Sequence, residues 1–164
     1  MKENYSQKKP TATVLSASLD DMIGAICKTL DSGRSVELSL KGQSMLPMIR
    51  EGKDSVILSP VTREIRKYDV VFYKRPDGSY VLHRVVKLCD DTVWCVGDNQ
   101  FVVERGVPHS AIIAILESVR RDGALIEARG KRSMAYARIR TITRPVRYFL
   151  FRLKRKIKHL FTNI

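Results

Sequence analysis

Ser44 lies in Gly42-Gln43-Ser44-Met45-Leu46-Pro47, directly after a run of alternating apolar and polar residues that ends at Leu40. A nucleophilic serine needs such a place: a strand end exposes its hydroxyl, and the turn leaves backbone N–H groups free to meet an oxyanion. A serine in a turn also serves simply as a cap, so position alone fits either role. The hydroxyl attacks only when a base takes its proton, and the chain offers three histidines. His159 sits in a basic C-terminal run, and His109 follows Pro108 in a loop-like segment. His83 stands inside Tyr80-Val81-Leu82-His83-Arg84-Val85-Val86, a strand pattern with apolar neighbours. A packed strand histidine with one satisfied nitrogen would look the same. Asp98, in Gly97-Asp98-Asn99 after the next strand, is the acid expected to fix the His83 tautomer and support its imidazolium. Glu104 is the alternative acid, and Gly97-Asp98-Asn99 also reads as a plain β-turn.

Short strands must carry these residues. Val36, Leu38 and Leu40 alternate with Glu37 and Ser39, and further strands are expected at Ser55–Leu58, Asp69–Tyr73, Tyr80–Leu88 and Thr92–Val96. Pro76-Asp77-Gly78 and Arg121-Asp122-Gly123 are hairpin signals, the second joining Ala111–Val119, whose pattern also fits a helix, to Ala124–Ala128. Ahead of the strands, Leu19, Met22, Ile23, Ile26 and Leu30 recur at helical spacing, with Asp20 and Asp21 in the first turn and Gly33 past the end. The expected organisation is a flexible leader over 1–13, a mainly antiparallel β domain with a helix in front over 14–128, and a basic helical tail over 129–164.

Charge is divided unevenly along the chain. Of 30 Lys/Arg, 12 fall in residues 129–164, which contain none of the 17 acids, so the tail carries +12 of the net +13. The β domain is nearly neutral, and its chemistry need not involve a polyanion. In the tail, Ile139, Ile142, Val146, Phe149, Leu150, Leu153, Ile157, Leu160 and Phe161 keep a helical period. Pro145 lacks an N–H, so it starts the last helix or kinks a longer one. The stripe and its basic flanks predict a helix on an anionic membrane surface through Arg147, Phe149, Leu150, Arg152, Leu153, Lys154, Ile157, Lys158 and Phe161. The alternative is a stripe packed on the body.

No run approaches the ~20 apolar residues of a membrane span, and the polar start MKENYSQKKP leads into no signal-like apolar segment. The expected address is the cytoplasm, peripheral at a membrane. Three cysteines, Cys27, Cys89 and Cys95, close no disulfide framework, and their spacing matches no zinc knuckle, so neither metal nor cofactor is expected.

Taken in order, Gly42-Gln43-Ser44-Met45-Leu46-Pro47, Glu51-Gly52, Tyr68-Asp69-Val70-Val71, Leu82-His83-Arg84-Val85-Val86 and Gly97-Asp98-Asn99 resemble the type I signal peptidase family and the clan it shares with SOS- and phage-repressor autoproteases. The resemblance covers about residues 33 to 119. Within that clan His83-Arg84 is similar to the endoplasmic-reticulum and archaeal kind, which uses histidine as base where the bacterial enzymes use lysine. It implies a repressor-protease-like β fold and a serine endopeptidase: Ser44 the nucleophile, with its N–H in the oxyanion hole, His83 the base and Asp98 the acid. Gly42 stands where the family often has a hydroxyl residue, which leaves the oxyanion hole to backbone. Glu104 is the nearest match to a second acid that often follows Gly-Asp-Asn, so the choice between Asp98 and Glu104 stays open. The partner implied is an extended peptide, such as a leader or signal peptide. Alternatives are a non-catalytic peptide- or membrane-binding module of the same fold and a repressor-like regulator. Nucleic acid is disfavoured, because the stripe is wider than DNA contact requires and the first thirty residues are too short for a helix-turn-helix domain.

Overall fold

In the computed structural model, residues 19–162 are described, with side chains described for 22–157. The leader expected over 1–13, and the side chains of Lys158 and Phe161, lie outside those ranges. Helix α1 (Leu19–Asp31) is followed by strands β1 (Val36–Leu38), β2 (Ser55–Ser59), β3 (Val70–Lys74), β4 (Tyr80–Leu88), β5 (Thr92–Val96), β6 (Glu104–Pro108), β7 (Ile112–Arg121) and β8 (Ala124–Glu127). Helices α2 (Lys131–Ile142) and α3 (Arg144–Thr162) end the described chain. The strands form one sheet in the order β1-β2-β7-β3-β4-β5-β6, with β8 also on β7. Every pairing is antiparallel. The protein is therefore mainly β with flanking helices, as its sequence predicts.

Pleating gives the sheet two apolar faces. One buries Val56, Leu58, Val70, Phe72, Leu82 and Leu116 against Ile23, Ile26 and Leu30 of α1. Those three residues fall on one side of the helix, whereas Met22, from the same spacing pattern, is exposed. The other face buries Val71, Tyr73, Val85, Val93, Cys95 and Val107. In β3, residues Val70, Val71, Phe72 and Tyr73 are buried on both sides, which is why that strand reads as a continuous apolar run.

The turns follow their residues. Asp77 accepts hydrogen bonds from the Ser79 N–H and hydroxyl across the β3–β4 hairpin. Asp122 (φ 49) and Gly123 (φ 83) both take the left-handed conformation that a two-residue hairpin requires, joining β7 to β8. Two acids are buried at sheet ends, and each is caged by arginine: Asp54 by Arg50 and Arg121, Asp69 by Arg63 and Arg129. Burial alone would neutralise these carboxylates, but the guanidinium partners hold both below the usual range.

The tail is two helices that part at Thr143, and Pro145 stands in the first turn of α3, where its missing N–H costs nothing. Helix α2 docks on the body through small residues. Ala137 and Ser133 are buried, and the Ser133 hydroxyl donates to the Glu127 carbonyl at 2.6 Å. The expected boundary at 128/129 thus marks a change of charge while packing continues across it. Strand β6 is a departure from the sequence pattern: Val107 is its one buried residue, and it lies at the sheet edge, where a terminal Pro108 is tolerated.

Leu58 is fully enclosed. Leu58→Ala should lower the unfolding free energy by about 3 kcal/mol in urea titration, whereas Phe149→Ala, on exposed α3, should change it by less than about 0.5 kcal/mol.

Candidate active site

Strand β4 presents His83 and Arg84 in succession, so their side chains leave on opposite faces of the sheet. Both are 1% exposed. A buried imidazole and a buried guanidinium each require a partner, and register decides which. Arg84 pairs with Val96 across β4–β5, and Asp98 follows two residues later, on the Arg84 face. The Asp98 carboxylate accepts from Arg84 Nε at 2.8 Å and Nη2 at 2.7 Å, a bidentate pair with Asp98 itself 4% exposed.

The His83 face is reached by another route. Val85 pairs with Cys95, and Cys95 pairs with Glu104 of β6, which brings Glu104 to the face shared by Val85 and His83. His83 Nδ1 stands 2.9 Å from Glu104 Oε1, so a proton on Nδ1 would face the carboxylate. The Tyr73 hydroxyl donates to Glu104 Oε2 at 2.7 Å, and Arg75 Nε donates to the same oxygen at 2.8 Å. The acid in contact with His83 is therefore Glu104. The expectation that Asp98 lies beside the imidazole is corrected: the pleat puts it on the other face, where Arg84 occupies both its oxygens.

This arrangement sets the charges. Burial lowers the His83 pKa, and the nearby Arg75 guanidinium lowers it further, against the opposing pull of Glu104. At neutral pH the imidazole is neutral, with Nδ1 carrying the proton and Nε2 left as acceptor. Burial raises the Glu104 pKa, but hydrogen bonds from Arg75 and Tyr73 outweigh it and keep the carboxylate ionised. Burial and the Glu104 contact push the Tyr73 hydroxyl far up, so it stays a donor. Tyr73 and Arg75 were not singled out from sequence, and for Tyr73 the signal was there: it lies on β3 and shares the face of Val71, the residue paired with His83, while Arg75 is the first residue past that strand.

Ser44 meets the chain just past β5 at Gly97. One step beyond the Arg84–Val96 pair, the register sets Gly97 opposite His83, and any side chain there would stand on the His83 face. A Cβ on Gly97 would lie 2.7 Å from the Ser44 carbonyl oxygen and 3.0 Å from Ser44 Cβ. Ser44 thus takes the space that a side chain would fill. Its carbonyl accepts from the Asn99 N–H at 2.7 Å, which ties the Ser44 turn to the Gly97-Asp98-Asn99 loop. On the other side, the Gly42 N–H donates to Glu51 at 2.8 Å, with Gly42 at φ 115. Among the described residues, no hydrogen bond takes up the Ser44 N–H or hydroxyl, and none joins Ser44 to His83.

Ser44 also lines a cavity of about 110 Å³, walled by Leu40, Met45, Phe72, Tyr80 and Leu82. Beside it the start of β4 is hydrogen-bonded to β3 alone, because the β5 pairing begins only at Arg84. No group of acids, histidines and cysteines among the described residues could hold a metal ion. Comparison with family models, curated proteins and solved structures finds no match to this chain.

Removing either acid should have separable effects. Asp98→Asn strands a buried guanidinium and should lower stability by about 3–5 kcal/mol in chemical denaturation. Glu104→Gln removes the anion facing the imidazole, so the His83 pKa should fall further. NMR titration of the His83 ring checks that direction, and an upward shift would contradict the pairing described.

Proposed function

We propose that the protein is a serine endopeptidase of the signal-peptidase type, with Ser44 as nucleophile, His83 as general base and Glu104 as the acid that orients the base. The observation that carries this reading is an ionised Glu104 set against a neutral His83 on one face of β4, with Ser44 seated against Gly97 beside the start of the same strand. His83 Nε2 would accept the Ser44 proton as the hydroxyl oxygen attacks the substrate carbonyl, and Glu104 would stabilise the imidazolium that forms. The Ser44 N–H supports the oxyanion, with Gly42 adding no hydroxyl. His83 would then deliver its proton to the leaving amine, and water would hydrolyse the acyl-enzyme by the same base.

The substrate would be an extended peptide. The unpaired edge of Tyr80-Val81-Leu82 offers main-chain hydrogen bonds, and Leu40-Lys41-Gly42 lines the same cavity from the other side. A strand laid between them would be read by main-chain pairing, and the small apolar cavity would select a short side chain beside the scissile bond. We place the working protein in the cytoplasm, against the surface of a membrane; among the described residues no helix is long and apolar enough to cross one.

Incubation with precursor peptides carrying a small residue before the cut, read by mass spectrometry, tests the proposal. Ser44→Ala and His83→Ala should each lower turnover by at least about a thousandfold while the fold persists. Full activity in either variant would reject the assignment. Gly97→Ala should also inactivate, because its methyl group would collide with the Ser44 carbonyl, a backbone atom that cannot swing away. Because burial lowers the His83 pKa, the acidic limb of kcat/KM should fall below the ordinary histidine value of 6.5, and activity should be lost only as pH drops through that limb.

A further inference from the structure

Helix α3 meets the body through one side. Tyr148 and Phe151 lie with ring centroids 5.5 and 5.3 Å from Phe101, and the Arg147 guanidinium stands 5.7 Å from the same ring. At 3.6 residues per turn, Val146, Phe149, Leu150, Leu153 and Ile157 occupy an arc of about 100° on the opposite side. All five are exposed, from 44% at Leu153 and Ile157 to 65% at Phe149. The helix is therefore seated by its secondary face with its apolar stripe turned outward, and the body does not cover that stripe. Lys154 flanks the stripe on one side, Arg152 and Lys156 on the other, and neither α2 nor α3 contains an acid.

We infer that the outward face of α3 is a preformed docking surface for an anionic lipid bilayer, lying in the plane of the headgroups with Val146, Phe149, Leu150, Leu153 and Ile157 entering the acyl boundary. An apolar strip bordered by cations on both flanks fits a surface that is apolar beneath a layer of negative charge. A second copy of the chain would bury the stripe but oppose two cationic rims, and nucleic acid would meet the cations but leave the stripe in water. This inference rests on the surface location proposed above and is independent of the peptidase chemistry.

Flotation of the full chain with vesicles tests it. The protein should rise with vesicles of equal parts phosphatidylcholine and phosphatidylglycerol, stay behind with phosphatidylcholine alone, and lose binding as salt screens the charges. Phe149→Ser combined with Leu153→Ser should weaken partitioning by about a hundredfold, roughly tenfold for each side chain withdrawn from lipid. Thermal unfolding should be unchanged in that variant, since both positions are exposed. Ser44→Ala should float like the parent, which separates failure at the membrane from failure of the peptidase reading. The inference is overturned if the intact chain does not float, if the double substitution leaves flotation unchanged, or if the stripe supports a concentration-dependent dimer in place of lipid binding.

Discussion

The pleat of β4 sends His83 to one face of the sheet and Arg84 to the other, and both side chains are buried where they arrive. Neither face tolerates an unpartnered charge or an unsatisfied imidazole, so each recruits a carboxylate from the far side of β5. Glu104 answers His83, and Asp98 answers Arg84. The two pairs do different work. The Arg84–Asp98 pair holds the loop after β5 to the middle of the sheet, and that loop fixes Ser44 through the Asn99 N–H. The His83–Glu104 pair sets the protonation of the candidate base. A structural ion pair and a chemical one thus stand back to back across a single strand.

Arginine serves the same purpose elsewhere. Asp54 and Asp69 sit where strands meet loops, each with a buried carboxylate and two guanidinium partners. Arg129 belongs to the basic tail, yet it closes the cage around Asp69 at 2.6 Å. The positive charge near the C-terminus is therefore divided between fold and surface: Arg129 and Arg140 are engaged with the body, whereas Lys154 and Lys156 are exposed.

Strand order along the chain was largely legible, because alternation and turn chemistry agreed at β4, β5 and the two hairpins. Ser44 and His83 stood out singly, one in a turn after a strand and one inside a strand, and only the order of the short motifs joined them. The acid beside His83 was ambiguous, since its choice depends on register, and register depends on β6. Glu104-Arg105-Gly106-Val107-Pro108 gives almost no strand pattern: it buries one aliphatic residue at an edge and ends in proline. Without β6, Glu104 is only an acid in a loop, and Asp98 looks nearer. Helix α2 falls within the expected helical tail, but its docking face was not legible, because it packs through Ser133 and Ala137 and presents no broad apolar stripe.

The grip of the tail on the loop after β5 has a further consequence. Arg140 Nε donates to the carbonyl oxygen of Asp98 at 2.8 Å, and Arg147 approaches the same atom at 3.4 Å. A main-chain oxygen belongs to the position whatever residue occupies it. Sequence drift at position 98 would thus be felt chiefly by Arg84, while the clasp from α2 and α3 endured. The clasp therefore asks for a donor on the helices and asks nothing of the side chain whose carbonyl it holds.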